Sequence, residues 1–156
     1  IIRKFCEASH KPERMILLVQ KEVAERIVAA DKKESILSIS VKVYAKAKIV
    51  TRVSAGSFYP KPKVDSAVIS LTEIATPFSD KTEESIFFDI LHSGFAHKRK
   101  MLISNLKSLV GTEYFKDDSP RLKLLNKYLE DSKGSKARAE DLNTADWINI
   151  LRSING

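Results

Sequence analysis

The sequence predicts an α/β segment followed by a small all-α domain, and three observations carry that prediction. Residues 15–19 (MILLV) form a continuous apolar run, the pattern of a strand in a parallel sheet, and an amphipathic helical pattern follows at once. Residues 48–53 (KIVTRV) and 64–71 (VDSAVISL) are rich in β-branched residues, with the SFYPKP loop between them. Beyond Thr76-Pro77 the apolar positions change to a helical period.

Taken in order, IIRKFCEAS opens with a helical pattern, and the run at 15–19 calls for parallel neighbours and cover on both faces. In QKEVAERIVA, Val23 with Ile27 and Ala24 with Val28 stand four apart on one face, while Glu22 and Arg26 can pair outside, which predicts a short helix. SILSISVKVYA fits a helix or a strand equally well. The strands at 48–53 and 64–71 can pair only antiparallel, because a parallel return needs a crossover of about a dozen residues or more. The expected sheet is therefore mixed, one parallel strand plus an antiparallel hairpin, and it reads as part of a larger sheet. In the second half, Phe87, Ile90, Leu91 and Phe95 predict one helix and Leu102, Leu106, Leu109 and Val110 another. A third begins at Ser119-Pro120, an N-cap followed by proline at the first helical position, and carries Leu122, Leu125 and Leu129. Trp147, Ile150, Leu151 and Ile154 mark a fourth, and Trp147 sits on its apolar stripe as core. The expected domain boundary falls between residues 1–77 and 78–156.

With 43% hydrophobic residues among 156, the chain can bury a genuine core. Its single cysteine, Cys6, excludes an internal disulfide framework and a cysteine-rich metal site, and favours a reducing, cytoplasmic setting. No apolar stretch approaches the roughly 18 residues that span a bilayer, and the first residues lack a signal-peptide layout, so no membrane partner is expected. His10, His92 and His97 have no spacing with Asp, Glu or Cys that makes a metal site, and no Ser/His/Asp arrangement suggests a hydrolase. Glycine occurs only at 56, 94, 111, 134 and 156, so no Gly-rich strand-to-helix turn cradles a nucleotide cofactor. The net charge of +7 favours a polyanionic partner, nucleic acid first. Residues 1–78 hold 14 basic against 8 acidic residues and residues 79–156 hold 13 against 12, so nearly all of the excess lies in the first half.

In SFYPKPKVDSAVI, Pro60 and Pro62 fix their own φ angles and push Tyr59 and Lys61 towards extended backbone, which puts Phe58 on a rigid support. Composition alone allows two readings: Phe58 and Tyr59 cap the core beneath a hairpin loop, or Phe58 forms a stacking platform flanked by Lys61 and Lys63.

F-x-P-x-P-K-V-D-S-A-V at 58–68, with MILLVQKEVAERIVA at 15–29, resembles the small-subunit ribosomal RNA adenine dimethyltransferases, the kasugamycin-resistance group. The resemblance continues through FAHKRKMLISNLK at 95–107 and RAEDL at 138–142. It implies the C-terminal part of a Rossmann-like methyltransferase domain followed by a helical RNA-binding domain. The implied whole enzyme uses S-adenosylmethionine to dimethylate N6 of two adjacent adenosines near the 3′ end of small-subunit rRNA. Its partners would be that rRNA and the immature 30S particle, with the protein itself a monomer. The family's glycine-rich cofactor loop, acidic ribose-binding residues and Asn-x-Pro-Tyr motif are not in this sequence. The piece alone is therefore expected to bind RNA without catalysis, and no cofactor-binding residue is assigned in it.

By its place in the motif, Phe58 matches the family's aromatic that stacks on the extruded adenine. Lys98, Arg99 and Lys100 match a basic triplet of the family's C-terminal domain. They read either as a solvated face or, if a helix starts there, as cations whose unfavourable placement a phosphate would reverse. Lys61, Lys63, Arg121, Lys123 and Arg138 join them as RNA-binding candidates on charge and position. Two departures stand out: Ile36-Leu37 where an aromatic and a small residue are common, and HKRK in place of an arginine-rich version. Two other function classes remain open, a large-subunit rRNA adenine methyltransferase sharing F-x-P-x-P-K-V and a non-catalytic binding or ribosome-assembly module; QKEVAERIVA and RAEDL favour the small-subunit group.

Overall fold

The computed structural model describes residues 2–6, 8, 10–30, 32–109, 120–134 and 136–155, without the side chains at 3, 108, 120–122, 124, 126, 132, 154 and 155. It divides into two compact units, Ile1–Lys33 with Leu37–Pro77 and Glu34–Ile36 with Phe78–Gly156.

The first unit runs α1 (Ile2–Cys6), β1 (Arg14–Gln20), α2 (Lys21–Val28), α3 (Ile36–Lys42), β2 (Lys46–Val53) and β3 (Ser66–Thr72). The ambiguous SILSISVKVYA resolves as α3, burying Ser38, Ile39 and Val41, before the chain turns into β2. The hairpin forms as expected, with β2 antiparallel to β3. Among the described residues β1 has no parallel neighbour. The sheet order is β1-β3-β2, and β1 is also antiparallel to β3, so β1 and β2 run the same way without touching. The short loop sets which strand β3 meets on one edge and leaves its partner on the other edge open.

Among the described residues β1 is covered on one face. Ala67, Ile69 and Leu71 of β3 are fully buried, and Leu17 and Ile49 stand opposite Ile69. α2 lies on this face, burying Ala24 and Ile27, with Glu25 reaching Arg52 at 3.4 Å. Each fully buried Ile or Leu among these contributes about 1.5–3 kcal/mol. Side chains alternate across a strand, so Ile16 and Leu18 point the other way and are 57% and 54% exposed. On β2 the register shifts between Ile49 and Thr51, leaving Val50 as a bulge.

The second unit holds α4 (Lys81–Gly94), α5 (Leu102–Leu106), α6 (Pro120–Ser132) and α7 (Thr144–Asn155). α4 starts because Asp80 accepts a hydrogen bond from the Glu83 amide at 2.8 Å. Glu83 in turn accepts from the Ser79 hydroxyl and, at 2.6 Å, from the Ser79 amide, and these bonds hold its carboxyl below the usual range. Asn143 and Asp146 cap α7 reciprocally, each side chain accepting the other's amide at 2.9 and 3.0 Å. Phe87, Leu91, Leu102, Leu106, Trp147 and Ile150 are buried. A Cβ at Gly94 would collide with the Trp147 indole and come within 3.0 Å of Leu102, so only glycine lets α4 approach so closely. The expected helix through 102–110 is shorter: α5 gives way to a single 3₁₀ turn at Lys107–Leu109, and Val110 lies outside the described residues, as does Ser119 before α6. The side chains of Leu122 and Ile154 also lie outside them.

Candidate functional site

In the first unit the chain leaves β2 at Val53 and makes one 3₁₀ turn, Ala55–Ser57, before Phe58. Local bonds build this turn. The Ser54 hydroxyl accepts from the Gly56 amide at 3.2 Å, and the Phe58 amide donates to the Ala55 carbonyl at 3.3 Å. From across the loop, the Asp65 carboxylate accepts from the Ala55 amide at 2.9 Å. Phe58 is half-buried on extended backbone, φ −118° and ψ 149°. Tyr59 is fully exposed, so the reading in which both rings cap the core fails for Tyr59. The Tyr59-Pro60 peptide bond is cis, and Lys61 and Lys63 beyond it are exposed. Lys63, Val64 and Asp65 line a cleft of about 450 Å³ together with Gln20, Lys21, Glu22 and Glu25. A second cleft of about 510 Å³, lined by Lys42, Lys46, Lys48 and Thr72 among others, lies at the opposite end of β2. Lys46 there is paired with Glu73 at 2.8 Å.

In the second unit Lys98, Arg99 and Lys100 are all exposed and lie in turns after α4, not on a helix. α5 begins only at Leu102 and has five residues, so the three cations precede the helix and do not sit at its start. What shapes the turn is Asn105, whose buried amide donates to the carbonyls of Gly94 at 2.6 Å and His97 at 3.2 Å. The Lys100 amide closes it by donating to the His97 carbonyl at 2.9 Å. Just ahead of the triplet, Phe95 stacks on Trp147 with ring centroids 5.6 Å apart. The Leu102 amide donates to the Ala137 carbonyl at 2.8 Å, which brings the segment carrying exposed Arg138 beside the exit of the basic turn. Lys123 is exposed on α6, and the side chain of Arg121 lies outside the described residues.

Sequence reasoning passed over Asp65 and Asn105. Both stand inside the strings that carry the family resemblance, but neither is aromatic or basic, and their partners are main-chain groups that no side-chain pattern reveals. Among the described residues no group of three His, Cys, Asp or Glu could hold a metal ion, and no helix is long and apolar enough to cross a membrane.

Residues 1–150 match the family model described as ribosomal RNA adenine dimethylase. The chain is 34% identical over 148 residues to ribosomal RNA small subunit methyltransferase A of Dehalococcoides mccartyi, covering 94% of this chain and 48% of that protein. It is 38% identical over 146 residues to the protein of the same name from Acaryochloris marina, covering 92% and 50%. The chain thus spans about half the length of these curated relatives. The crystal structure of a dimethyladenosine transferase from Plasmodium falciparum superposes with a TM-score of 0.78 at 27% identity, over 99% of this chain and 61% of that one. The 23S rRNA methyltransferase ErmE shares the fold, with a TM-score of 0.69 at 18% identity over 97% and 58%. The match runs through the Phe58 loop and the basic turn alike, and the chain belongs to the ribosomal RNA adenine dimethylase family.

Proposed function

We propose that this chain is part of an rRNA adenine N6,N6-dimethyltransferase acting on two adjacent adenosines near the 3′ end of small-subunit rRNA in immature 30S particles. The whole protein works in the cytoplasm as a monomer. The observation that carries this reading is Phe58, half-buried beside exposed Lys61 and Lys63 on a turn held by main-chain bonds, in a chain whose family match spans 150 residues. An enzyme that methylates the exocyclic amine of adenine must take the base out of its stack. Phe58 offers one face for that base, and the lysines offer charge for the phosphates on either side. Lys98, Arg99 and Lys100, with Arg138 beside them and Lys123 and Arg121 on α6, supply a second set of phosphate contacts.

S-adenosylmethionine would supply the methyl group, and this reading assigns no residue of the present sequence to hold it. β1 passes into α2 at Gln20-Lys21 with no intervening loop, no glycine and no side-chain cap. On this reading the cofactor is held by a part of the protein outside this sequence, and the piece alone binds RNA without transferring methyl groups. QKEVAERIVA and RAEDL favour a small-subunit substrate over a large-subunit one.

The test is methyl transfer by the full-length protein to 30S particles lacking the modification. Phe58→Ala should lower kcat/KM by the equivalent of about 1–3 kcal/mol of stacking. Unchanged kinetics would remove Phe58 from the site, and no transfer by the unaltered protein would overturn the reading as a whole.

A further inference from the structure

We propose that Asp65 is a positioning residue for Phe58, acting through two consecutive hydrogen bonds. The inference rests on the reading of Phe58 as the base-stacking residue and adds the group that aims it.

Asp65 is an exposed acid at the end of a stretch carrying Lys61 and Lys63, where an ordinary surface ion pair would be expected. Its carboxylate instead turns back on the main chain and accepts from the Ala55 amide at 2.9 Å. The carbonyl of that same residue accepts from the Phe58 amide at 3.3 Å. The chain Asp65 Oδ1 to Ala55 N–H, then Ala55 C=O to Phe58 N–H, ties the far side of the loop to the residue that carries the ring. A bond from an amide to a carboxylate is charge-assisted and stronger than one between neutral groups, so this link fixes the turn more firmly than Ser54 does alone. Asp65 is itself anchored, since its carbonyl accepts from the Lys21 amide at 3.0 Å where α2 begins. The carboxylate thus refers the position of Phe58 to the sheet-and-helix frame from across the loop. A one-ångström error in such a platform costs rate far more than binding, because aligned geometry is what the transition state requires.

The experiment uses the full-length protein, with methyl transfer to unmodified 30S particles as readout. Asp65→Ala should lower kcat about tenfold with a smaller change in KM. Asp65→Asn, which keeps an oxygen acceptor at the same position, should recover most of that loss. In a double-mutant cycle, Asp65→Ala should cost little once Phe58 is already alanine, since its effect passes through that ring. Hydrogen exchange supplies an independent check: in Asp65→Ala the amides of Ala55 and Phe58 should exchange faster while those of Ile69 and Leu71 stay protected. The inference is overturned if Asp65→Ala keeps normal kinetics while Phe58→Ala does not, if the two losses simply add, or if exchange rises across the whole sheet. If Phe58→Ala itself has no effect, the failure lies with the stacking reading instead.

Discussion

β1 and β2 are the two outer strands of one sheet, and their open sides are built differently. β2 carries exposed Lys46, Lys48 and Arg52 and is interrupted by the Val50 bulge. Charge and a bulge are what proteins use to stop a strand from recruiting another, so β2 has the character of a true margin. β1 has neither device along its centre. Its middle residues run Met15 to Val19 without a charge, and Ile16 and Leu18 are more than half exposed. A strand of that composition has the character of an interior strand, made for neighbours beside it and on its open face. One sheet therefore shows, on its two opposite sides, an edge shaped to end and an edge shaped to continue.

The largest expected effect sets the centre of the sheet against its flank. Ile69→Ala, opposite both Leu17 and Ile49, should cost about 2–5 kcal/mol in urea unfolding, whereas Ile16→Ala should cost about 1 kcal/mol or less. Similar values would mean that Ile16 is buried in solution and the contrast between the strands false. Next comes association of the 156-residue chain. In sedimentation velocity, Ile16→Lys with Leu18→Lys should shift it towards monomer, and Lys46→Val with Lys48→Val should drive it towards larger species. Equal behaviour of the two pairs would break the comparison.

A third prediction separates edge-guarding cations from RNA-facing ones. Alanine at Lys98, Arg99 and Lys100 together should lower the salt dependence of RNA binding by about 0.9 in log–log slope for each phosphate no longer neutralised, while serine at Lys46 and Lys48 should leave the slope in place. A matching drop for the β2 pair would recast those lysines as RNA contacts. The smallest effect is expected at the Lys46–Glu73 pair, where both side chains are well exposed: Glu73→Gln should change unfolding free energy by about 0.5 kcal/mol or less.

How much of this was legible from the residues follows from how local each feature is. α2 could be read from Val23, Ala24, Ile27 and Val28, because helical neighbours are four residues apart. The β2–β3 hairpin followed from the shortness of its loop. The pairing of β1 with β3 joins Leu17 to Ile69 across the chain, and nothing in either string names its partner. The apolar composition of residues 15–19 reports the surroundings suited to that strand, and the described residues supply cover on one of its faces. The basic triplet was visible as charge, but its placement in a turn depends on Asn105 reaching back to Gly94 and His97, a tertiary contact without a periodic signature. Phe58 is a proposal taken from its motif, and the bond made by Asp65 in the same motif went unread because its partner is a main-chain amide.

The indole of Trp147 lies on Gly94 and against Phe95, one step ahead of the basic turn, and it is the chain's single tryptophan. Its ultraviolet emission is consequently a built-in optical gauge of that corner: any ligand that shifts the ring of Phe95 must alter the colour or yield of the light, with no dye attached.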